Sequence, residues 1–166
     1  MSIFLVGYMG SGKSTIGKQL ADFLSTPFFD LDNLIEQSTG MSIDKIFSTK
    51  GENFFRQQEK SVLTGLNFEN KPIIATGGGT PCYLNNMHFM NQLGITLYLK
   101  VNSDVLYERL KLDNNRPLLY NNKLHLYNFI NKQLLQREKY YKMSTYTIDN
   151  DDITLKKVYE LATKIR

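Results

Sequence analysis

Residues 4–15 read "FLVGYMGSGKST": an apolar run, then three glycines, a lysine and three serine or threonine hydroxyls in quick succession. A buried strand ending near Val6 and a helix starting near Lys13 leave the glycines in a turn whose backbone amides curl around a ligand. Gly7, Gly12, Lys13 and Ser14 satisfy the pattern G-x-x-x-x-G-K-[ST], in the strand-turn-helix setting that it requires. The ligand that suits this arrangement is a phosphate chain. Glycines let the amides approach it, the helix start adds partial positive charge, Lys13 reaches the outer phosphates, and the Ser14 hydroxyl ligates magnesium. An ordinary glycine turn leaves Lys13 unexplained, because the helix dipole disfavours a cation in the first turn.

The chain of 166 residues is the usual size of one domain, and 42% apolar with 22% charged residues is the composition of a folded globular protein. Its longest apolar runs, "SIFLV" and "ITLYL", fall far short of the roughly 18 residues that cross a bilayer. A strand beginning at Ile3 leaves no room for a secretory signal, so the expected location is the cytoplasm. Cys82 is the one cysteine, which excludes an internal disulfide and a thiolate metal cluster, and His88 and His125 are isolated. Any metal should therefore have oxygen ligands. The net charge of +4 favours anions, and because Lys and Arg are scattered rather than blocked, small phosphates and carboxylates suit it better than nucleic acid.

Outward from the opening stretch, Ile16, Leu20, Phe23 and Leu24 recur at helical spacing until Pro27. "FFD" reads as a short strand. Helices are expected from about Asn33 and from Ser42, the second interrupted by Gly51 and resuming through Leu66. "PIIATGGG" is a buried strand ending in glycines, followed by a helix over residues 84–92, the strand "ITLYLKV" and a helix capped by Asn102 or Ser103. A long helix over about 124–142, the strand "TYTID" and an amphipathic helix carrying Leu155, Val158, Ala162 and Ile165 complete the pattern. Five short strands separated by helices, most without polar alternation, predict a parallel sheet covered on both faces. Ligands collect beyond the carboxyl ends of such strands, where residues 7–14, Asp30, Asp32 and the glycines at 77–79 should converge.

Several of these residues carry two readings. In "FFDLD", Asp30 and Asp32 could face one cleft if the chain stays extended, one holding a magnesium-bound water and the other orienting or deprotonating a hydroxyl; a helix cap followed by a first-turn acid explains them equally. Arg56 lies at ion-pair spacing from Glu52 and Glu59, yet the stripe of Phe55, Glu59, Val62 and Leu66 turns it toward the buried side, where a charge needs a partner or an anionic ligand. Gly77, Gly78 and Gly79 keep a strand end open to a ligand, or form a plain flexible turn. Arg137 falls on the stripe of Leu126, Ile130, Leu134 and Tyr141 and should meet a carboxylate, of substrate or protein. Arg116, in the Asn-rich "DNNRPLL", is a surface-loop residue by itself; over a nucleotide site it becomes part of a lid whose arginine neutralises charge in the transition state.

Together, "GYMGSGKST", "DLD", "GENFFR", "TGGG", "RPLL" and "REKYY" stand in the order and at the spacing of the shikimate kinase family, which the chain resembles from its first strand to its last helix. The resemblance implies one domain over residues 1–166, a three-layer α/β/α fold on a five-stranded parallel sheet of the P-loop, nucleoside-monophosphate-kinase-like kind. It also implies a substrate-binding helical region at about 31–66 and a mobile lid at about 112–123. The implied activity is ATP- and Mg2+-dependent phosphorylation of the shikimate 3-hydroxyl in aromatic amino acid biosynthesis, by a cytoplasmic monomer that binds neither nucleic acid nor membrane.

Carried over residue by residue, the resemblance gives Gly10, Ser11, Gly12, Lys13, Ser14 and Thr15 to ATP, with Ser14 and Asp30 serving the metal. Asp32 would bind and activate the hydroxyl, while Arg56, Gly78, Gly79 and Arg137 would hold shikimate, the two arginines meeting its carboxylate. Arg116 would be the lid arginine and Arg109 the residue that packs on adenine. Phe47 and Phe55 match apolar neighbours of the substrate, and Glu59 matches an acid orienting Arg56. Asn53 and Thr80 fall at variable positions to which no role attaches, and no residue near 150–152 is assigned to adenine. Two rival readings are a gluconate-type sugar-acid kinase and a non-catalytic nucleotide-binding module. The set Asp32, Arg56, Gly78, Gly79 and Arg137 speaks against the latter.

Overall fold

Phe4, Leu5 and Val6 have no exposed surface and form the middle of β1 (Ser2–Val6), the central strand of the protein. The structure, a computed structural model, describes residues 1–111, 125–150 and 153–165. β1 joins β2 (Phe28–Asp30), β3 (Ile73–Ala75), β4 (Gly94–Lys100) and β5 (Tyr146–Asp149) in one sheet of order β2-β3-β1-β4-β5. Every pairing is parallel, with Leu5 opposite both Ala75 and Leu97. Parallel neighbours need crossovers, and helices supply them on both faces, which explains why the inner strands read as continuous apolar runs.

Alternate residues of the strands serve opposite cores. Ile3, Leu5, Ile73, Leu97 and Ile148 pack with Leu20 and Ala21 of α1 (Lys13–Leu24) and with Val158 and Ala162 of α8 (Leu155–Ile165). Phe4, Val6, Ile74 and Tyr98 pack on the other face with Met87 and Met90 of α5 (Asn86–Leu93), Leu106 of α6 (Ser103–Leu110), and Ile130 and Tyr141 of α7 (Leu126–Tyr141). A smaller cluster of Ile35, Ile46 and Phe55 ties together α2 (Leu31–Thr39), α3 (Ile43–Thr49) and α4 (Gly51–Thr64) beyond the carboxyl edge of β2.

Three boundaries differ from expectation, each for a local reason. α2 begins at Leu31 rather than near Asn33, because the Asp30 side chain accepts from the amides of Asp32 and Asn33 and caps the helix directly at the end of β2. α5 begins at Asn86 rather than at residue 84, because Leu84 and Asn85 take left-handed backbone angles (φ 48° and 58°) after a 3-10 turn over Thr80–Cys82. α4 stops at Thr64, with Gly65 as its cap, and leaves Leu66 outside. Elsewhere Ser42 caps α3 as expected, and Gly51 (φ 79°) breaks α3 from α4.

Leu5 sits under α1 at the centre of the sheet with no exposed surface, so Leu5→Ala should lower the unfolding free energy by about 2–5 kcal/mol. Urea denaturation checks this; an unchanged midpoint would contradict the assignment of β1 as the central strand.

Candidate active site

The turn between β1 and α1 relies on glycine at three places, Gly7 among them with φ of 148°. Gly10 and Gly12 have φ of 79° and 94°, angles that side-chain-bearing residues rarely adopt, and Gly12 caps α1. Lys13 is 7% exposed, and its ammonium folds back into the turn, donating to the carbonyls of Gly7 (2.9 Å) and Tyr8 (2.8 Å). A cation in the first helical turn thus lies inside the loop itself. Ser11, Ser14 and Thr15 line the same depression, which Asp30, Asp32 and Gly78 close on the other side. Arg109, at the end of α6, reaches across and donates to the Gly10 carbonyl at 2.9 Å.

Asp30 takes the cap reading and also meets Ser14 across the depression. One oxygen caps α2, while the other accepts from the Ser14 hydroxyl at 2.5 Å. The chain does not stay extended through Asp32, which sits in the first turn of α2; both carboxylates nevertheless line the depression, because the helix starts without a spacer. Ser14 and Asp30 form a pair of hard oxygen donors, a set that fits Mg2+. Among the described residues no group of three or more His, Cys, Asp or Glu could hold a metal. An ion here would complete its shell from water and phosphate, as Mg2+ commonly does.

The glycines after β3 form the wall between this depression and a second pocket. A Cβ on Gly77 would lie 2.8 Å from Asp32 Oδ1 and 3.0 Å from Glu59 Oε1; on Gly78, 3.2 Å from the Met9 amide nitrogen and 3.6 Å from Arg137 Nη1; on Gly79, 2.6 Å from both Nη atoms of Arg56. The three glycines thus leave room for functional side chains from α2, α4 and α7 to crowd one turn of backbone.

Arg56 and Arg137 both line the second pocket, together with Phe47, Glu52, Tyr83 and Tyr140. Arg56 is held on three sides: Nη1 donates to Glu59 at 2.9 Å, Nε and Nη2 donate to Glu52 at 3.2 and 3.0 Å, and the Tyr83 ring covers the guanidinium at 4.1 Å. Glu59 has no exposed surface, and its second oxygen accepts from the Thr80 hydroxyl. Burial pushes the Glu59 carboxyl above the usual carboxylate range, against the opposing pull of Arg56 and Thr80. Burial also works against the Arg56 charge, but Glu59 and Glu52 outweigh it and hold the guanidinium above its ordinary value. Arg137 lies over the Tyr8 ring at 5.5 Å, and Tyr141, one helical turn further along, donates its hydroxyl to the Gly78 carbonyl at 2.5 Å.

The structure therefore brings together Lys13, Ser14, Asp30, Asp32, Arg109 and Gly78 on one side of the glycine wall and Arg56 and Arg137 on the other. Phe47 lines the second pocket, whereas Phe55 is 4% exposed and packs beneath it, 4.7 Å from Phe47 between ring centres. Arg116, the proposed lid and residues 151–152 lie outside the described residues. Thr80, to which no role was attached, is fully buried and bonded to Glu59. No local signal marks it, because its partner stands 21 positions earlier in the chain. Cys82 is packing, as expected: it is half-buried, with burial pushing its thiol up to about 11.

Comparison with known proteins identifies the family. The family model for shikimate kinase matches residues 9–166. A shikimate kinase from Bacteroides fragilis is 42% identical over 146 residues, covering 87% of this chain and 82% of the relative. The crystal structure of shikimate kinase from Bacteroides thetaiotaomicron superimposes with a TM-score of 0.91 at 36% identity over 98% of both chains. That of Acinetobacter baumannii shikimate kinase in complex with shikimate gives 0.85 at 36% identity, over 99% of this chain and 89% of the other.

Gly79→Ala would drive a methyl group into the Arg56 guanidinium and loosen its grip on the buried Glu59 carboxylate. The variant should lose about 1–3 kcal/mol of stability in urea denaturation. Wild-type stability would contradict the close approach of this glycine to Arg56.

Proposed function

The chain belongs to the shikimate kinase family, and we propose that it transfers the terminal phosphoryl group of ATP to the 3-hydroxyl of shikimate through the residues that meet at the glycine wall. The observation that carries this assignment is the placement of two arginines, Arg56 and Arg137, in one pocket, each close against the glycine turn whose Gly78 also lines the phosphate-loop depression. An organic acid pinned by its carboxylate there can present a hydroxyl across the turn to Asp32. Sugar-acid kinases share the need for an anion clamp, so turnover of shikimate and gluconate side by side separates the two readings.

In this reading the amides and side chains of Gly10, Ser11, Gly12, Lys13, Ser14 and Thr15 bind the phosphates. The Lys13 ammonium exchanges its loop carbonyls for phosphate oxygens and draws off charge as the bond to the leaving oxygen lengthens. Asp32 orients the 3-hydroxyl and accepts its proton as the new O–P bond forms. Arg56 and Arg137 bind the carboxylate, with Gly78 and Gly79 supplying the backbone beside it, and this fixes the attacking oxygen in line with the phosphorus. Arg109 stacks on adenine while holding the Gly10 carbonyl. Mg2+, held through Ser14 and Asp30, would neutralise charge on the phosphates. Arg116 would enter from a lid at about residues 112–123, a role supported by the family pattern "RPLL".

The same reading takes residues 1–166 as one kinase domain, with the helical region 31–66 as the acid-binding part. The enzyme acts as a cytoplasmic monomer on a small molecule, without nucleic acid or membrane; the dispersed Lys and Arg support small anions over a polyanion.

A coupled ADP-release assay tests the proposal. Wild-type protein with ATP and Mg2+ should release ADP on addition of shikimate, and Arg56→Ala or Arg137→Ala should raise the shikimate KM by about a hundredfold or more while leaving the ATP KM within about twofold. Absence of shikimate-dependent ADP release would overturn the function, and unchanged shikimate KM in both variants would overturn the clamp.

A further inference from the structure

We propose that Thr80 is a positioning residue for the acid clamp, its hydroxyl fixing the Glu59 carboxylate so that Arg56 is aimed at the substrate. The inference rests on the reading of Arg56 as a carboxylate ligand, and it extends that machinery by a residue behind it that never touches substrate.

Geometry carries it. Thr80 and Glu59 are both fully buried, and the two carboxylate oxygens have separate tasks: Oε2 accepts from Arg56 Nη1 at 2.9 Å, and Oε1 accepts from Thr80 Oγ1. Thr80 is itself immobilised. Its amide donates to the Gly77 carbonyl at 3.2 Å, and its own carbonyl accepts from the side-chain amide of Asn86, another residue with no exposed surface, at 3.0 Å. The chain Asn86, Thr80, Glu59, Arg56 therefore runs from the start of α5 through the end of the glycine turn into the pocket. A carboxylate needs such a fixed donor at each oxygen when water cannot reach it.

Without the Thr80 hydroxyl, Oε1 would face only the crowded Gly77 turn, and the carboxylate would rotate to seek another donor. Arg56 would then follow its second partner, Glu52, whose side chain is 51% exposed. The guanidinium would swing toward solvent and away from the wall shared with the phosphate loop. Loss of the clamp's aim, not loss of the fold, is the expected defect.

The groups facing Glu59 are Arg56 on its own helix, with Glu52 behind it, Arg137 from α7, Asp32 from α2 across Gly77, and Thr80 and Cys82 from the turn after the glycines. The Thr80 hydrogen bond favours the ionised carboxylate. Removing it raises the proton affinity of Glu59, and a protonated Glu59 loses its charge attraction for Arg56 and holds it less firmly. The acid limb of kcat/KM for shikimate should therefore move to higher pH.

The test compares steady-state kinetics of wild type, Thr80→Val, Thr80→Ser, Thr80→Ala and Arg56→Ala, with circular dichroism to confirm folding. Thr80→Val, which keeps the shape, should raise the shikimate KM about tenfold, leave the ATP KM within about twofold, and shift the acid limb upward; Thr80→Ser should restore both. Thr80→Ala carries the same test if valine disturbs packing. If Arg56→Ala impairs shikimate binding but neither Thr80→Val nor Thr80→Ala does, Thr80 has no positioning role. A parallel rise in both KM values, or failure of serine to rescue, overturns the proposal in favour of a purely structural residue. If Arg56→Ala itself leaves the shikimate KM unchanged, the clamp reading falls and takes this inference with it.

Discussion

A carboxylate with no exposed surface must be neutralised and hydrogen-bonded or it protonates, and in this protein that constraint falls on Glu59. Arg56 supplies the charge and Thr80 the second donor. The arrangement adds little to stability, since a buried ion pair roughly offsets its own desolvation. What it provides is direction. An arginine on an exposed helix face samples many rotamers, whereas Arg56, pinned between Glu59, Glu52 and the Tyr83 ring, presents one edge to one pocket. The glycines at 77–79 belong to the same solution, because a methyl group at Gly79 would overlap the guanidinium and one at Gly77 would strike Asp32 and Glu59.

The sheet puts this assembly beside a phosphate site. β1 has β3 on one side and β4 on the other, so the chain leaves β1 toward α1 and leaves β3 toward the glycine turn at adjacent carboxyl ends. Crevices of open parallel sheets form at such places. Thr76 stitches the two ends together, donating through both its amide and its hydroxyl to the Leu5 carbonyl. Asp30, at the end of β2, completes the row of strand ends: it caps α2 and accepts from Ser14 in α1. Transfer of a phosphoryl group needs donor and acceptor aligned with little motion, and here one glycine turn lies against Asp32 from one pocket and Arg56 and Arg137 from the other.

The phosphate loop and the inner strands were legible because their signals are contiguous: glycines, lysine and serine within a few positions, and apolar runs without alternation. Arg56 was legible through the helical stripe that turned it inward, although the sequence could not separate its surface and buried readings. Asp30 and Asp32 were legible as a pair, and their geometry as one of two alternatives; a cap that starts the helix at once and an extended segment look the same in one dimension. Thr80 and Tyr141 were illegible for a different reason. Their partners, Glu59 and the Gly78 carbonyl, lie 21 and 63 positions away and meet them only when α4 and α7 close over the glycine turn. Leu84 gave no sign of its left-handed angle, whereas Asn85 is of a type that tolerates one.

The central claim is spatial: one wall of glycine backbone, with a phosphate-binding loop on one side and an acid clamp on the other. A crystal structure with ADP, Mg2+ and shikimate bound tests it most directly. The acid's carboxylate should lie within hydrogen-bond distance of both Arg56 and Arg137, with its 3-hydroxyl at Asp32 and facing the nucleotide. Shikimate bound with its carboxylate away from both arginines, or with its 3-hydroxyl pointing away from the phosphate loop, would contradict the account.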